Sequence, residues 1–202
     1  MAGAKRGQAV KGSLVALEGI NVAALKAGAR AVLAKSGRRR GGVSVWDASG
    51  LFEELTVAGR DAGLPSPRAF LLLYAADLAF RLRWEIRPAL EEGRVVIAAP
   101  YIDTAIAFGR AAGLPRRWLL DLFSFAPQPA DWRHVDAAPA RGRARRDGFV
   151  EFGLEWMSDA PARREMMASV RRQLRQKKQR RTSVRPVRPV RRADAVMLAG
   201  GA

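Results

Sequence analysis

Cysteine is absent from the 202 residues and histidine occurs once. Without thiols there is no disulfide, no cysteine nucleophile and no thiolate zinc site. A lone histidine, His134, builds no His-ligand metal centre and reads as a structural residue. Long hydrophobic runs are also missing. The most apolar stretch, 69–80, carries Asp77 and falls short of the ~20 apolar residues that a membrane-spanning helix needs. Lys5, Arg6 and Lys11 precede an apolar stretch in the manner of a secretion signal, but Glu18 interrupts it early. The expectation is a cytoplasmic protein with no membrane contact. Acidic side chains are scarce at the ends. Net charge is +8 over residues 1–40, −2 over 41–136 and +12 over 160–192, within a total of +17. A nearly neutral body between basic ends suits contact with a polyanion made by the ends.

What is present reads as alternating strands and helices. Residues 13–18 (S-L-V-A-L-E), 43–46, 94–98 and, weakly, 132–136 have the composition of short buried strands. Between them, 22–36, 51–62, 101–112 and 115–125 have helical spacing. Ser66 as N-cap and Pro67 at the first helical position open a long helix that runs to about residue 92. A further helix is expected over 149–156 and a basic one over 162–181, whose Met166, Met167, Val170 and Leu174 fall on one face. In 182–192 the prolines of V-R-P-V-R-P-V-R-R exclude a helix. The expected fold class is α/β, a doubly wound parallel sheet flanked by helices. The expected organisation is a basic arm (1–12), one domain (13–158), a basic C-terminal helix (159–182) and a Pro/Arg-rich extended tail (183–202).

Four blocks in order carry a family likeness. L-V-A-L-E-G-I-N resembles the opening strand and turn of thymidylate kinases. S-P-R-A-F-L-L-L-Y-A-A-D resembles their nucleotide-site helix. I-R-P-A-L-E-E-G-R-V-V-I resembles the end of that helix and the third strand, and Y-I-D-T-A-I-A-F the segment after their Asp-Arg-Tyr motif. The likeness spans 13–156 and implies a P-loop kinase fold, transfer of the ATP γ-phosphoryl group to dTMP with magnesium, and a homodimer.

The family's chemical positions are occupied by other residue types. A phosphate loop needs glycines for close backbone approach, a lysine on the phosphates and a hydroxyl on magnesium. Here Gly19 and Ile20 lead to Asn21 at the family aspartate, Ala24 at a glycine, Leu25 at the lysine and Lys26 at the hydroxyl. Ala99 and Pro100 stand where Asp and Arg precede Tyr101, and Leu78 stands at an acceptor-site arginine. Trp46, Asp47 and Ala48 fill the neighbourhood of another. Tyr74 alone keeps its chemical class, that of a base-stacking aromatic, although an aromatic on a core helix also reads as packing. Arg141, Arg143, Arg145 and Arg146 resemble the arginine-rich lid in composition.

Loss of a phosphate partner costs several kcal/mol of transition-state stabilisation. The expectation is therefore a catalytically inactive thymidylate kinase-like protein, a pseudoenzyme, with no catalytic residue, no metal and no cofactor. It would serve as a binding or scaffold module and pair with itself or a related chain. Arg171, Arg172, Arg175, Lys177, Lys178, Arg180 and Arg181 on the basic helix, continued by Arg185, Arg188, Arg191 and Arg192, are the candidate contacts to DNA or RNA. The alternative is a dTMP kinase with substituted motifs, which alone would call for ATP and magnesium.

Overall fold

A computed structural model describes residues 12–36, 41–62, 65–135, 148–155 and 160–183, without the side chains of 58–62 and 182–183. The N-terminal arm, the arginines at 141, 143, 145 and 146, and the tail with Arg185, Arg188, Arg191 and Arg192 lie outside the described residues.

Four strands form one parallel sheet in the order β2-β3-β1-β4: β1 (Ser13–Glu18), β2 (Gly41–Val45), β3 (Val95–Ala99) and β4 (Asp131–His134). Along β1 and β3 the side chains alternate between two cores. Leu14, Ala16, Val96 and Ala98 join the larger one, whereas Val15, Leu17, Val95, Ile97 and Ala99 meet Leu25, Ala29 and Val32 of α1 (Val22–Lys35) on the other face. The chain steps one way from β1 to β2 and the opposite way from β2 through β3 to β4. Right-handed crossovers then place α1 on one face and the later helices on the other. This is the expected doubly wound α/β architecture.

β2 begins two residues before the expected 43, because Gly41 and Gly42 pair with Val95 and Val96. A Cβ at Gly41 would lie 2.2 Å from Leu33 Cδ2, so this glycine serves close helix–sheet approach rather than a turn.

On the larger side, α2 (Leu51–Ala62) precedes α3 (Pro67–Arg81), with Ser66 Oγ accepting from Ala69 N. A π turn over Leu82–Ile86 joins α3 to α4 (Arg87–Glu91). Pro88 has no N–H for the carbonyl four residues back, and Arg87 N instead reaches Leu82 O, five residues back. Then come α5 (Asp103–Ala111), α6 (Arg116–Leu122), α7 (Phe149–Glu155) and α8 (Ala160–Ser183). The basic helix docks on the body through buried Met166, Val170 and Leu174. That stripe continues as Lys177 and Arg181, spaced 3 and 4 further on. Lys177 Nζ bonds Asp103 Oδ1, Arg181 lies 3.9 Å from Asp103 Oδ2, and its guanidinium sits 4.8 Å from the Trp132 ring centre. These two cations thus help to dock the helix, a role that the sequence pattern did not assign them.

No helix of the described residues is long and apolar enough to cross a membrane.

Candidate functional site

In an open α/β sheet the ligand crevice lies beyond the carboxyl ends of the strands, where crossovers diverge. Here that point falls between β1 and β3, which are neighbours whose following helices lie on opposite faces. A crevice of about 370 Å³ opens there, lined by Gly19, Ile20, Val22, Leu25 and Lys26 after β1, Val43, Val45, Trp46 and Asp47 around the end of β2, Ala99 and Pro100 after β3, and Phe52, Glu53, Phe149 and Phe152.

The turn after β1 is tied down from within. Gly19 N donates to Thr104 Oγ1 (3.2 Å), and Thr104 Oγ1 donates to Glu18 Oε2 (2.6 Å). Glu18 also accepts from the N–H groups of Asp103 (3.0 Å) and Thr104 (2.9 Å). It thus caps α5 from another element, which explains why α5 starts at Asp103 rather than at the expected 101. Burial, and secondly the Asp103 charge, push the Glu18 carboxyl up to about 7 despite those donors. Asn21 is the N-cap of α1, its Oδ1 accepting from Ala24 N (3.0 Å). Leu25 is only 5% exposed and belongs to the core under α1.

The other two walls hang on one buried ion pair. Asp77 Oδ2 and Arg81 Nε approach to 3.0 Å with both side chains fully buried. Their alignment is poor for a hydrogen bond, so the contact is mainly ionic. Asp77 accepts from Asp47 N (3.1 Å), Ser49 N (3.1 Å) and Ser49 Oγ (2.9 Å), fixing the loop after β2. Arg81 donates to Pro100 O (3.2 Å) and to Tyr74 Oη (3.3 Å), fixing the turn after β3. Asp47 holds a left-handed conformation (φ 58°), tolerated by aspartate, and its carboxylate receives Phe52 N and Glu53 N at the start of α2. Burial raises its pKa.

The candidate positions separate clearly. Gly19, Leu25, Lys26, Ala99 and Pro100 line the crevice, as do Trp46 and Asp47. Tyr74 does not, and takes the packing role that an aromatic on a core helix also allowed. Its ring is fully buried against Phe149 (4.3 Å) and Phe123, and its hydroxyl donates to the carbonyls of Pro100 and Tyr101. Leu78 is fully buried in the core, and Tyr101 is buried with its hydroxyl on Pro127 O (2.8 Å). Sequence reading missed the Glu18–Thr104 link and Arg81. The signal available for Arg81 was its spacing of four from Asp77 within an otherwise apolar helix.

Among the described residues, a nucleoside triphosphate with magnesium finds few direct partners in this crevice. The Gly19 and Ala24 N–H groups, which a phosphate would need, already have internal acceptors. Leu25 points into the core, and Lys26 is the sole cation among the described lining residues. The Asp47 carboxylate is spent on α2, and no group of three or more His, Asp or Glu side chains able to hold a metal occurs among the described residues.

No family model matches the chain. Among curated proteins it is similar to the probable thymidylate kinases of Pyrococcus abyssi, 44% identical over 34% of this chain and 34% of that protein, and of Pyrobaculum calidifontis, 36% identical over 45% of this chain and 51% of that protein. The matches thus span a third to a half of those relatives' length. Among solved structures it is similar to thymidylate kinase from Ehrlichia chaffeensis, with TM-score 0.61 and 16% identity over 85% of this chain and 89% of that one, a likeness of fold. The relatives overturn the expectation that the chain is to be read with no cofactor, since thymidylate kinases act with ATP and magnesium.

Proposed function

We propose that this chain, which belongs with the thymidylate kinases in sequence and fold, is a kinase-like protein that binds nucleotide in the crevice beyond β1, β2 and β3. Phosphoryl transfer of the dTMP kinase type, with ATP and magnesium, is the activity its relatives favour. The observation that carries the binding reading is the place of the crevice, at the divergence point of a thymidylate kinase-type sheet. Lys26 is the residue best placed to meet an anionic group there, since its side chain is exposed on the crevice wall one position beyond buried Leu25.

One observation favours a second reading, a non-catalytic binding module. Leucine replaces lysine at the phosphate position and is buried, and the N–H groups after β1 are satisfied internally. A coupled assay with ATP, magnesium and dTMP separates the two. Turnover above background supports the kinase reading. A thermal shift with nucleotide but no turnover supports the module, and neither response sinks both. Self-association is proposed through the outer face of α3 and the π turn, where Leu72, Phe80 and Trp84 are exposed, Trp84 by 63%. Light scattering tests it, and a monomer at high concentration refutes it.

A further inference from the structure

We propose that the C-terminal end of α8 and the edge strand β4 together form a binding surface for single-stranded nucleic acid, independent of the crevice. The basic stretch of α8 contains no aromatic residue, and stacking readout would need one. Tertiary packing supplies it. The Arg181 guanidinium lies over Trp132 of β4, and the Trp132 and His134 rings are nearly parallel, 14° apart with centroids 6.3 Å apart. Three flat groups therefore form a row at a groove of about 530 Å³ lined by Pro129 to His134, Lys178 and Arg181.

The charge around this row has one sign in excess. Helix α8 carries nine Lys and Arg side chains and one acid, Glu165. At this end of α8, Lys177 and Arg181 approach Asp103, and Arg133 of β4 pairs with Asp131 (2.8 Å), so two acids meet three cations there before the exposed ones are counted. Arg175, Lys178 and Arg180 have exposed side chains on the remaining faces of the same turns. The acids at this end, Asp103 and Asp131, are outnumbered by its cations. Glu151 and Glu155 line a separate pocket with Arg163, Arg164 and Arg171 nearer the start of α8. Beyond Ser183 the sequence continues with Arg185, Arg188, Arg191 and Arg192. Cations beside stacked flat groups match a chain of phosphates carrying unstacked bases. An acidic peptide would use the charge but not the rings, and a duplex keeps its bases stacked inside.

The experiment measures fluorescence anisotropy of the full chain with labelled oligothymidine and oligouridine 20-mers, a DNA duplex and polyglutamate, from 50 to 200 mM salt. Binding of the single strands is expected to weaken steeply with salt. The double substitution Arg175→Glu with Lys178→Glu should weaken it at least tenfold and flatten the log–log salt slope by about 1.4, two contacts at ~0.7 each. Trp132→Leu should weaken the single strands several-fold while leaving polyglutamate unchanged. The charge variants alter exposed side chains, so they keep the test readable if Trp132→Leu fails to fold. No single-strand binding at 50 mM salt overturns the proposal, as does unchanged affinity in the charge variant, or polyglutamate binding as tightly as the oligonucleotides.

Discussion

Replacing Arg81 by methionine is the sharpest test of how the crevice is held together. The side chain is fully buried, pairs with Asp77 and donates to Pro100 O and Tyr74 Oη. Methionine nearly fills the volume, so cavity formation contributes little, and the cost comes from the uncompensated Asp77 charge. Breaking a buried pair by removing one partner typically costs ~3–5 kcal/mol. Asp77 keeps three donors from the loop after β2, which places the expectation at the lower end, about 3 kcal/mol. At ~2–4 °C per kcal/mol for a chain of this size, the melting temperature should fall by roughly 6–12 °C. Adding Asp77→Asn removes the stranded charge, and the double variant should recover more than half of the loss. The assay is thermal and urea unfolding of the single and double variants by circular dichroism. A drop under about 2 °C for Arg81→Met would refute the reasoning, and so would a double variant whose loss equals the sum of the singles.

Three further outcomes follow from the same contacts. The Glu18 carboxyl rises from 4.5 to about 7 on folding, so its contribution to stability is fully present below 4.5 and is lost as pH rises through 7. Urea unfolding at pH 5.5 and 8.5 should register a loss of about 2 kcal/mol, and Glu18→Gln should abolish that slope while lowering stability at both pH values, since an amide oxygen cannot replace both carboxylate acceptors. A Cβ at Gly153 would lie 2.6 Å from Phe70 Cε1 and 2.8 Å from Phe108 Cζ, so Gly153→Ala should destabilise by about 1–3 kcal/mol in the same assay. Lys26→Met should lower any dTMP kinase turnover at least tenfold without changing the melting temperature, and unchanged turnover would remove Lys26 from the phosphate site.

Much of the element pattern was legible because it rests on local chemistry. The apolar run of Ser13–Glu18, the Ser66-Pro67 start of α3 and the 51–62 helix appear where side-chain pattern and caps place them. The errors fall where long-range contacts set the boundary. Gly41 extends β2 because Leu33 packs over it, and α5 begins at Asp103 because Glu18, 85 residues away, caps it. Tyr74 was ambiguous for the same reason. An aromatic on an apolar helix packs or stacks according to what lies opposite, and here Phe149 and the Pro100 carbonyl lie opposite.

Strand and helix periods and aligned motifs are properties of neighbours along the chain, so the α/β class, the family likeness and the residue types at each phosphate position could be read from the order of residues alone. What those substituted residues do was set by packing. It turned Asn21 into a helix cap and Leu25 into core, bound the Gly19 N–H to Thr104, and divided the basic helix into docking cations and outward ones beside Trp132. These roles depend on which groups meet across the sheet, where burial and hydrogen-bond satisfaction set the energy, and sequence spacing does not encode that meeting.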